Sequence, residues 1–255
     1  VEVKNTEATK KEKPGFWSRE NLVSLAILLL AVLAVRWSVA SPYVVPTASM
    51  EPSIKVGDRL LAWKLAYELK VPFTSYVVAR WADPRRGDII VFRYPQNPSI
   101  DYVKRIVGLP GDTVQIIDDV LYLNGKAQEQ TDHNSDRSVL DDIDDQKDIK
   151  FLARENLDGF DHWVMRNQIL SRDPELARWP FDGSGAYTVP ADSFLVIGDN
   201  RDNSLDSRFW GPVPRSYIHG KGIFVIWSFN PPKGEGFFSG LMKGFRWYRF
   251  GAGLR

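Results

Sequence analysis

DYVKRIVGLPGDTVQII, residues 101 to 117, is the stretch whose reading decides the fold. Val, Ile and Tyr dominate both halves, and Pro110-Gly111 between them marks a turn. Two strands joined by a tight connection is the natural reading. The same punctuation recurs outward in both directions. DIIVFRYP (88 to 95) precedes it, and DVLYLNGKAQ (119 to 128) follows with Asn124-Gly125, a hairpin signal. VGDRLLAWKLAY (56 to 67) starts with a Gly-Asp turn and runs into a strand. A second β block is YTVPADSFLVIGDN (187 to 200) with GKGIFVIWSF (220 to 229). No run of ten or more residues in the first block carries helical periodicity. The chain reads as mainly β.

Before that region lies a segment of another kind. LVSLAILLLAVLAV, residues 22 to 35, has no charge, Pro or Gly, and Leu22 to Ala40 gives 19 residues if Arg36 snorkels beside Trp37. Lys4, Lys10, Lys11, Lys13 and Arg19 precede it. A membrane anchor is expected, with the basic side cytoplasmic and everything after residue 40 exported. A cleaved secretory signal ending at Ser38-Val39-Ala40 is the rival. A buried core helix fits least, because the segment is apolar on all faces.

Composition narrows the classes further. The 255 residues hold 33 basic and 32 acidic side chains, which argues against a nucleic-acid surface. There is no cysteine, so disulfides, metal-thiolate sites and cysteine nucleophiles are excluded. Residues 127 to 186 read as a solvated acidic insertion with seven Asp between 132 and 148 and no calcium-loop spacing. HWVMR (162 to 166) reads as a strand within it. The tail, 233 to 255, interleaves Lys243, Arg246, Arg249 and Arg255 with Phe245, Trp247, Tyr248 and Phe250. Such a mixture suits an anionic lipid surface, and a solvated tail fits it equally.

Chemistry is carried by VVPTASMEPSIKVGD, residues 44 to 58. Pro46 and Pro52 stiffen the chain around Ser49 and disfavour helix. Ser49 therefore looks presented, as a nucleophile must be. None of His133, His162 and His219 lies in a catalytic-looking stretch, and His162 reads as structural. A lysine can replace histidine as the base. It must first lose about three pKa units, roughly 4 kcal/mol, by burial among apolar side chains. Lys104, between Tyr102, Val103, Ile106 and Val107, and Lys64, in LLAWKLAY, are the candidates. On a strand Lys104 shares a face with Tyr102 and Ile106, while Arg105 points the other way.

Three stretches in order are VPTASMEPSIKVGD (45 to 58), RGDIIVFRYPQNPSIDYVKRIVGLPGD (86 to 112) and GDNRDNSLDSR (198 to 208). Together they resemble the bacterial type I signal peptidase family. The resemblance covers residues 44 to 125 and 187 to 229 and the topology of the anchor. It implies a membrane-anchored, coiled antiparallel β-sheet catalytic core with a variable β-rich insertion. The implied units are a cytoplasmic tail (1 to 21), an anchor (22 to 40), a core (41 to 126 and 187 to 232), the insertion (127 to 186) and the tail (233 to 255).

Carried over by position, the resemblance implies Ser49 as nucleophile and Lys104 as general base, choosing it over Lys64. Thr47 falls where a hydroxyl helps bind the oxyanion, and Ser204 where one orients the lysine. Arg105, Asp199, Asp206 and Arg208 match a charge cluster that braces the site. Val45, Pro46, Met50, Ile54, Tyr102 and Val103 supply an apolar substrate wall. Thr47 stands for a more usual serine and Ala48 for a common glycine, and there is one span where some relatives have two. No metal or cofactor is implied. The implied partners are signal peptides of exported preproteins and membrane lipids, at the outer face of a bacterial inner membrane. A self-cleaving Ser–Lys protease and a catalytically silent membrane-tethered binding protein are the rivals, separable by an assay on one preprotein.

Overall fold

The computed structural model describes residues 17–74, 76–135, 137–143, 149–167, 179–180, 185–231, 234 and 237–254. Helix α1 (Arg19–Ser38) opens it, capped by Ser18, whose Oγ accepts from Asn21 N. Its apolar side chains from Leu22 to Val35 lie exposed along almost its whole length, so α1 is no core helix. Length and composition suffice to cross a membrane, a test that a signal sequence passes as well.

Strands follow in quick succession. They are β1 (Ala40–Val44), β2 (Asp58–Trp63), β3 (Glu68–Lys70), β4 (Val77–Arg80), β5 (Ile89–Tyr94) and β6 (Asn97–Gly108). Next come β7 (Thr113–Ile117), β8 (Val120–Leu123), β9 (Lys126–Ala127), β10 (Gln130–Asp132), β11 (Ile149–Leu157) and β12 (Phe160–Asn167). The chain closes with β13 (Tyr187–Thr188), β14 (Ser193–Ile197), α2 (Ser207–Trp210), β15 (Val213–Pro214), β16 (Ile218–Ser228) and α3 (Phe237–Gly244). The protein is mainly β, and its named strands pair antiparallel throughout.

A seven-stranded sheet in the order β1-β2-β16-β5-β6-β14-β15 forms the centre. Register shifts in β16 against both β2 and β5 bend it, as bulges do. Alternate residues of β14 enter different cores. Leu195 and Ile197 pack with Val107, Val114 and Leu121, whereas Phe194 and Val196 pack with Ile106, Phe92 and Ile90. Both faces of the sheet are therefore covered at β6 and β14. A four-stranded sheet, β13-β7-β8-β9, supplies one cover. Its β8–β9 turn has Asn124 at φ 52° and Gly125 at φ 78°, the doubly left-handed turn that Asn-Gly favours.

Three expectations change in detail. Lys64 does not continue a strand: β2 ends at Trp63, and Lys64–Ala66 form a 3-10 turn whose Lys64 N–H donates to Val39 O. The tail is not frayed, although Phe238, Met242, Trp247, Tyr248 and Phe250 stay exposed. It forms α3 and returns over the core, where Arg246 donates to Val56 O and Asp142 O and Arg249 pairs with Asp58. The insertion has a small core of its own, Leu140, Ile143, Leu152 and Met165, under a β10-β11-β12 sheet that includes HWVMR. Of its acidic run, residues 136 and 144–148 lie outside the described residues.

Candidate active site

Ser49 sits in a single 3-10 turn, Ala48–Met50, between the extended segment after β1 and the approach to β2. The GDNRD stretch after β14 clamps that turn. Asn200 N–H donates to Ser49 O at 3.2 Å and Asn200 Nδ2 to Ala48 O at 3.1 Å. Gly198 makes the approach possible. A Cβ there would stand 2.6 Å from Ser204 Cβ and closer still to Ser49 O and Ser204 Oγ. Only glycine fits between the two serines.

Lys104 comes from the middle of β6, opposite Ile90 of β5. Its Nζ donates to Ser49 Oγ at 2.6 Å and to Val103 O at 3.0 Å, and lies 5.3 Å from the Tyr102 ring centre. The amine is buried, with a residue exposure of 4%. Burial pulls its pKa down to about 8, with Asp206 and Asp199 opposing the shift and Arg208 adding to it. At pH 7 a pKa of about 8 leaves roughly a tenth of the amine neutral, against about 0.03% for an ordinary lysine. That is a gain of around 300-fold in usable base.

Thr47 Oγ1 lies 3.4 Å from Ser49 Oγ, on an exposed residue at the mouth of the site. Ser204 Oγ is buried beside the Asp206 carboxylate, which it helps to stabilise, at a geometry short of a hydrogen bond. It makes none to Lys104.

The charged residues form two locks behind the serine. Arg105, fully buried on the other side of β6, grips Asp199 with Nε–Oδ1 2.8 Å and Nη2–Oδ2 2.7 Å and also donates to Gly87 O. Asp206 caps α2, accepts from Gly198 N–H at 3.0 Å and holds Arg208 through Nε at 2.8 Å. Burial raises the Asp206 carboxyl, but Arg208, Ser204 and the Gly198 N–H outweigh it and hold it below the usual range. Buried charges paired in this way are costly to break, about 3–5 kcal/mol for loss of one partner.

The expected substrate wall divides. Val45, Met50 and Ile54 are buried in one cluster with Leu60, Ala62, Ile89 and Val91, and Val103 packs against it. They form a floor. Pro46 is exposed, and Tyr102 and Val103 are half-buried. Tyr102 stacks on Tyr94 at 4.5 Å in a different cluster. Beside them β6 has a free edge: β14 pairs with it only from Arg105 to Gly108, leaving Asp101–Lys104 bonded to β5 alone.

Several residues that shape the site, His162 apart, have no role in the sequence reading. Arg201 is locked onto Glu155 of β11, both fully or nearly fully buried. Met165 N–H of β12 donates to Asp199 O at 3.0 Å, and Arg201 N–H donates back to Met165 O at 2.9 Å. The insertion thus props the GDNRD stretch from behind. His162, buried with Glu155 Oε2 3.5 Å and Asp199 Oδ1 3.9 Å away, has its pKa pushed well down by burial and by Arg105 and Arg201. The identity of Gly198 and Asn200 inside GDNRDNSLDSR was the available signal for the clamp. The Glu155–Arg201 contact spans two parts of the chain and left none.

Comparison with known proteins agrees with this architecture. A family model described as signal peptidase, peptidase S26, matches residues 18–227. The chain is 35% identical over 217 residues to signal peptidase I of Pseudomonas aeruginosa, covering 81% of this chain and 71% of the relative. It is 36% identical over 235 residues to that of Aquifex aeolicus, covering 84% and 86%. Signal peptidase I of Pseudomonas fluorescens is 34% identical over 217 residues, at 81% and 71% coverage. With the match running from α1 through nearly all of β16, the chain belongs to the signal peptidase, peptidase S26, family.

Proposed function

We propose that this protein is a membrane-anchored serine endopeptidase that removes N-terminal signal peptides from exported preproteins after small-x-small sites. The observation that carries the reading is the 2.6 Å contact between Ser49 Oγ and a buried Lys104 amine of depressed pKa. An extended peptide docks along the free edge of Asp101–Lys104, opposite Val45–Thr47, as an added strand. Its alternate side chains face Pro46, Tyr102 and Val103 above the floor of Val45, Met50 and Ile54.

Ser49 Oγ attacks the scissile carbonyl while its proton passes to Lys104 Nζ. Thr47 Oγ1 and the Ser49 N–H receive the developing oxyanion, each such donor being worth about 10²–10³ in rate. The Lys104 ammonium then protonates the leaving amine as the C–N bond breaks, which leaves an acyl-Ser49 ester. Neutral Lys104 takes a proton from water as that water attacks the ester carbonyl, and the Lys104 ammonium returns it to Ser49 Oγ as the ester C–O bond breaks and the new carboxyl terminus leaves. Ser204 offers its unpartnered hydroxyl to the ammonium during the charged steps. The Arg105–Asp199 and Asp206–Arg208 locks brace the frame and do no chemistry.

Basic residues before Leu22 orient the anchor with its N-terminus in the cytoplasm. Helix α1 crosses the membrane once, and the core, 41 to 126 with 187 to 232, faces outward from a bacterial inner membrane with the insertion and the tail. The test uses the full chain in detergent with one purified preprotein. Wild type cleaves it, Ser49→Ala and Lys104→Ala do not, and Lys104→Arg fails because guanidinium stays charged. His162→Gln retains cleavage. Activity in the arginine variant, or its loss in a folded histidine variant, overturns the reading.

A further inference from the structure

A cavity of about 520 Å³ lies between the last turn of α1 and the β domain, apart from the Ser49–Lys104 site. Arg36 and Trp37 line it from α1, Tyr43 from β1, Lys64 after β2, Phe73 from the β3–β4 turn and Arg93 from β5. Its charges are unbalanced. Among the described residues neither Arg36 nor Arg93 makes a side-chain hydrogen bond or ion pair. Lys64 Nζ donates only to Trp37 O, at 2.9 Å, and sits 5.9 Å from the Trp37 ring. The two carboxylates at the cavity are already engaged: Asp101 with His219 Nε2 at 3.0 Å, and Glu68 with Lys70 at 2.9 Å and Arg80 at 3.3 Å. Burial lowers the Lys64 pKa, the nearby cations Lys70 and Arg36 lower it further, and Asp101 opposes the shift. Arg36, Lys64 and Arg93 thus outnumber Asp101, the carboxylate that faces them, and that excess of positive charge fits an anion, with guanidinium forks fitting phosphate oxygens best.

The height of the cavity identifies the source of that anion. A helix of 20 residues is about 30 Å long, the thickness of a bilayer's hydrocarbon core. Arg36, in its final turn, then sits at the boundary with the headgroups. Aromatic side chains cluster at the same level. Trp37 and Phe73 lie 5.6 Å apart, and Phe73 and Tyr76 of the β3–β4 turn are exposed. That is the composition of an interfacial belt. Leu33, also on the cavity wall, continues into the exposed apolar face of α1, along which acyl chains can lie.

We propose that this cavity binds the phosphate headgroup of an anionic phospholipid, with Arg36, Lys64 and Arg93 as its ligands. The inference rests on α1 being a retained membrane anchor. It does not involve the dyad, so its test reads lipid retention and not cleavage. The full chain in nonionic detergent is titrated with phosphatidylglycerol, with phosphatidylcholine and with inorganic phosphate, and bound adducts are counted by native mass spectrometry. Wild type and a Lys126→Gln control, altered on exposed β9, should retain one phosphatidylglycerol about tenfold more tightly than phosphatidylcholine. The Lys64→Gln/Arg93→Gln double variant should lose that preference while melting at the wild-type temperature. If the double variant melts early, Arg93→Gln alone must weaken phosphatidylglycerol about threefold. Equal retention of both lipids by wild type, or an unchanged preference in the variants, overturns the site. Inorganic phosphate bound as well as the lipid overturns the lipid assignment and leaves a small-anion site.

Discussion

Replacing Lys104 with Met tests the physics of the site separately from its chemistry. Met has nearly the same length and no charge to desolvate. Lowering the Lys104 pKa from 10.5 to about 8 means that the folded state disfavours the protonated amine by about 3.4 kcal/mol, at 1.36 kcal/mol per unit. The variant escapes that penalty but loses the hydrogen bonds to Ser49 Oγ and Val103 O, about 1 kcal/mol each. It should therefore be more stable at pH 7 by about 1–2 kcal/mol and melt roughly 2–6 °C higher, while cleaving nothing. The pH dependence has a definite sign. The folded pKa lies below the unfolded one, so unfolded chains hold more protons between about pH 8 and 10.5. Wild-type stability rises through that window, and the advantage of the variant shrinks across it. Melting the two full chains in one detergent at pH 7 and at pH 10 reads both effects. A variant several degrees less stable at pH 7, or a gap that ignores pH, would refute burial as the cause.

Two further outcomes follow from the geometry. Gly198→Ala should lower kcat by at least about 10²-fold, since the new methyl must displace the Ser49 carbonyl or Ser204, and a misplacement of about 1 Å costs that much; steady-state cleavage of a preprotein by a folded variant is the check, and near-normal kcat would show that the clamp is not needed. In a peptide series varying the residue before the scissile bond and the one two earlier, Ala, Gly and Ser should give the highest kcat/KM, with Phe or Lys before the bond slower by about 10²-fold; equal rates would remove the shallow-pocket account.

The β architecture was legible because its signals are local. Asn124-Gly125 fixes a hairpin by backbone conformation alone, and the Val/Ile runs of β5 and β6 alternate or fill according to the covers they meet. Ser49 stood out for another reason, a serine presented between two prolines, whereas the residues alone left Lys104 and Lys64 both open as its base and only the family resemblance chose between them. Lys64 shows the limit. LLAWKLAY reads as one run, yet the chain must leave β2 at Trp63 to bring Lys64 N–H to Val39 O, a contact 25 residues back that no window contains. Helix α3 is two turns long with glycine at Gly240 and Gly244, too short and too broken to register before its docking surface is known. The bracing of the GDNRD stretch by the insertion was hidden for the same reason. Glu155 and Met165 meet Arg201 and Asp199 only once β11 and β12 have folded back. An acidic, solvated segment in the sequence became a buttress in the structure.

The pH profile of kcat/KM tests the central claim, a serine activated by a buried neutral lysine, most directly. This parameter reports the ionisations of the free enzyme, and the full chain with a signal-peptide substrate supplies it. The account predicts a rise of about tenfold per pH unit on the acidic side, bending at an apparent pKa of about 8 and levelling above it. A profile already level from about pH 7 downward to a histidine-like bend near 6.5 would contradict it.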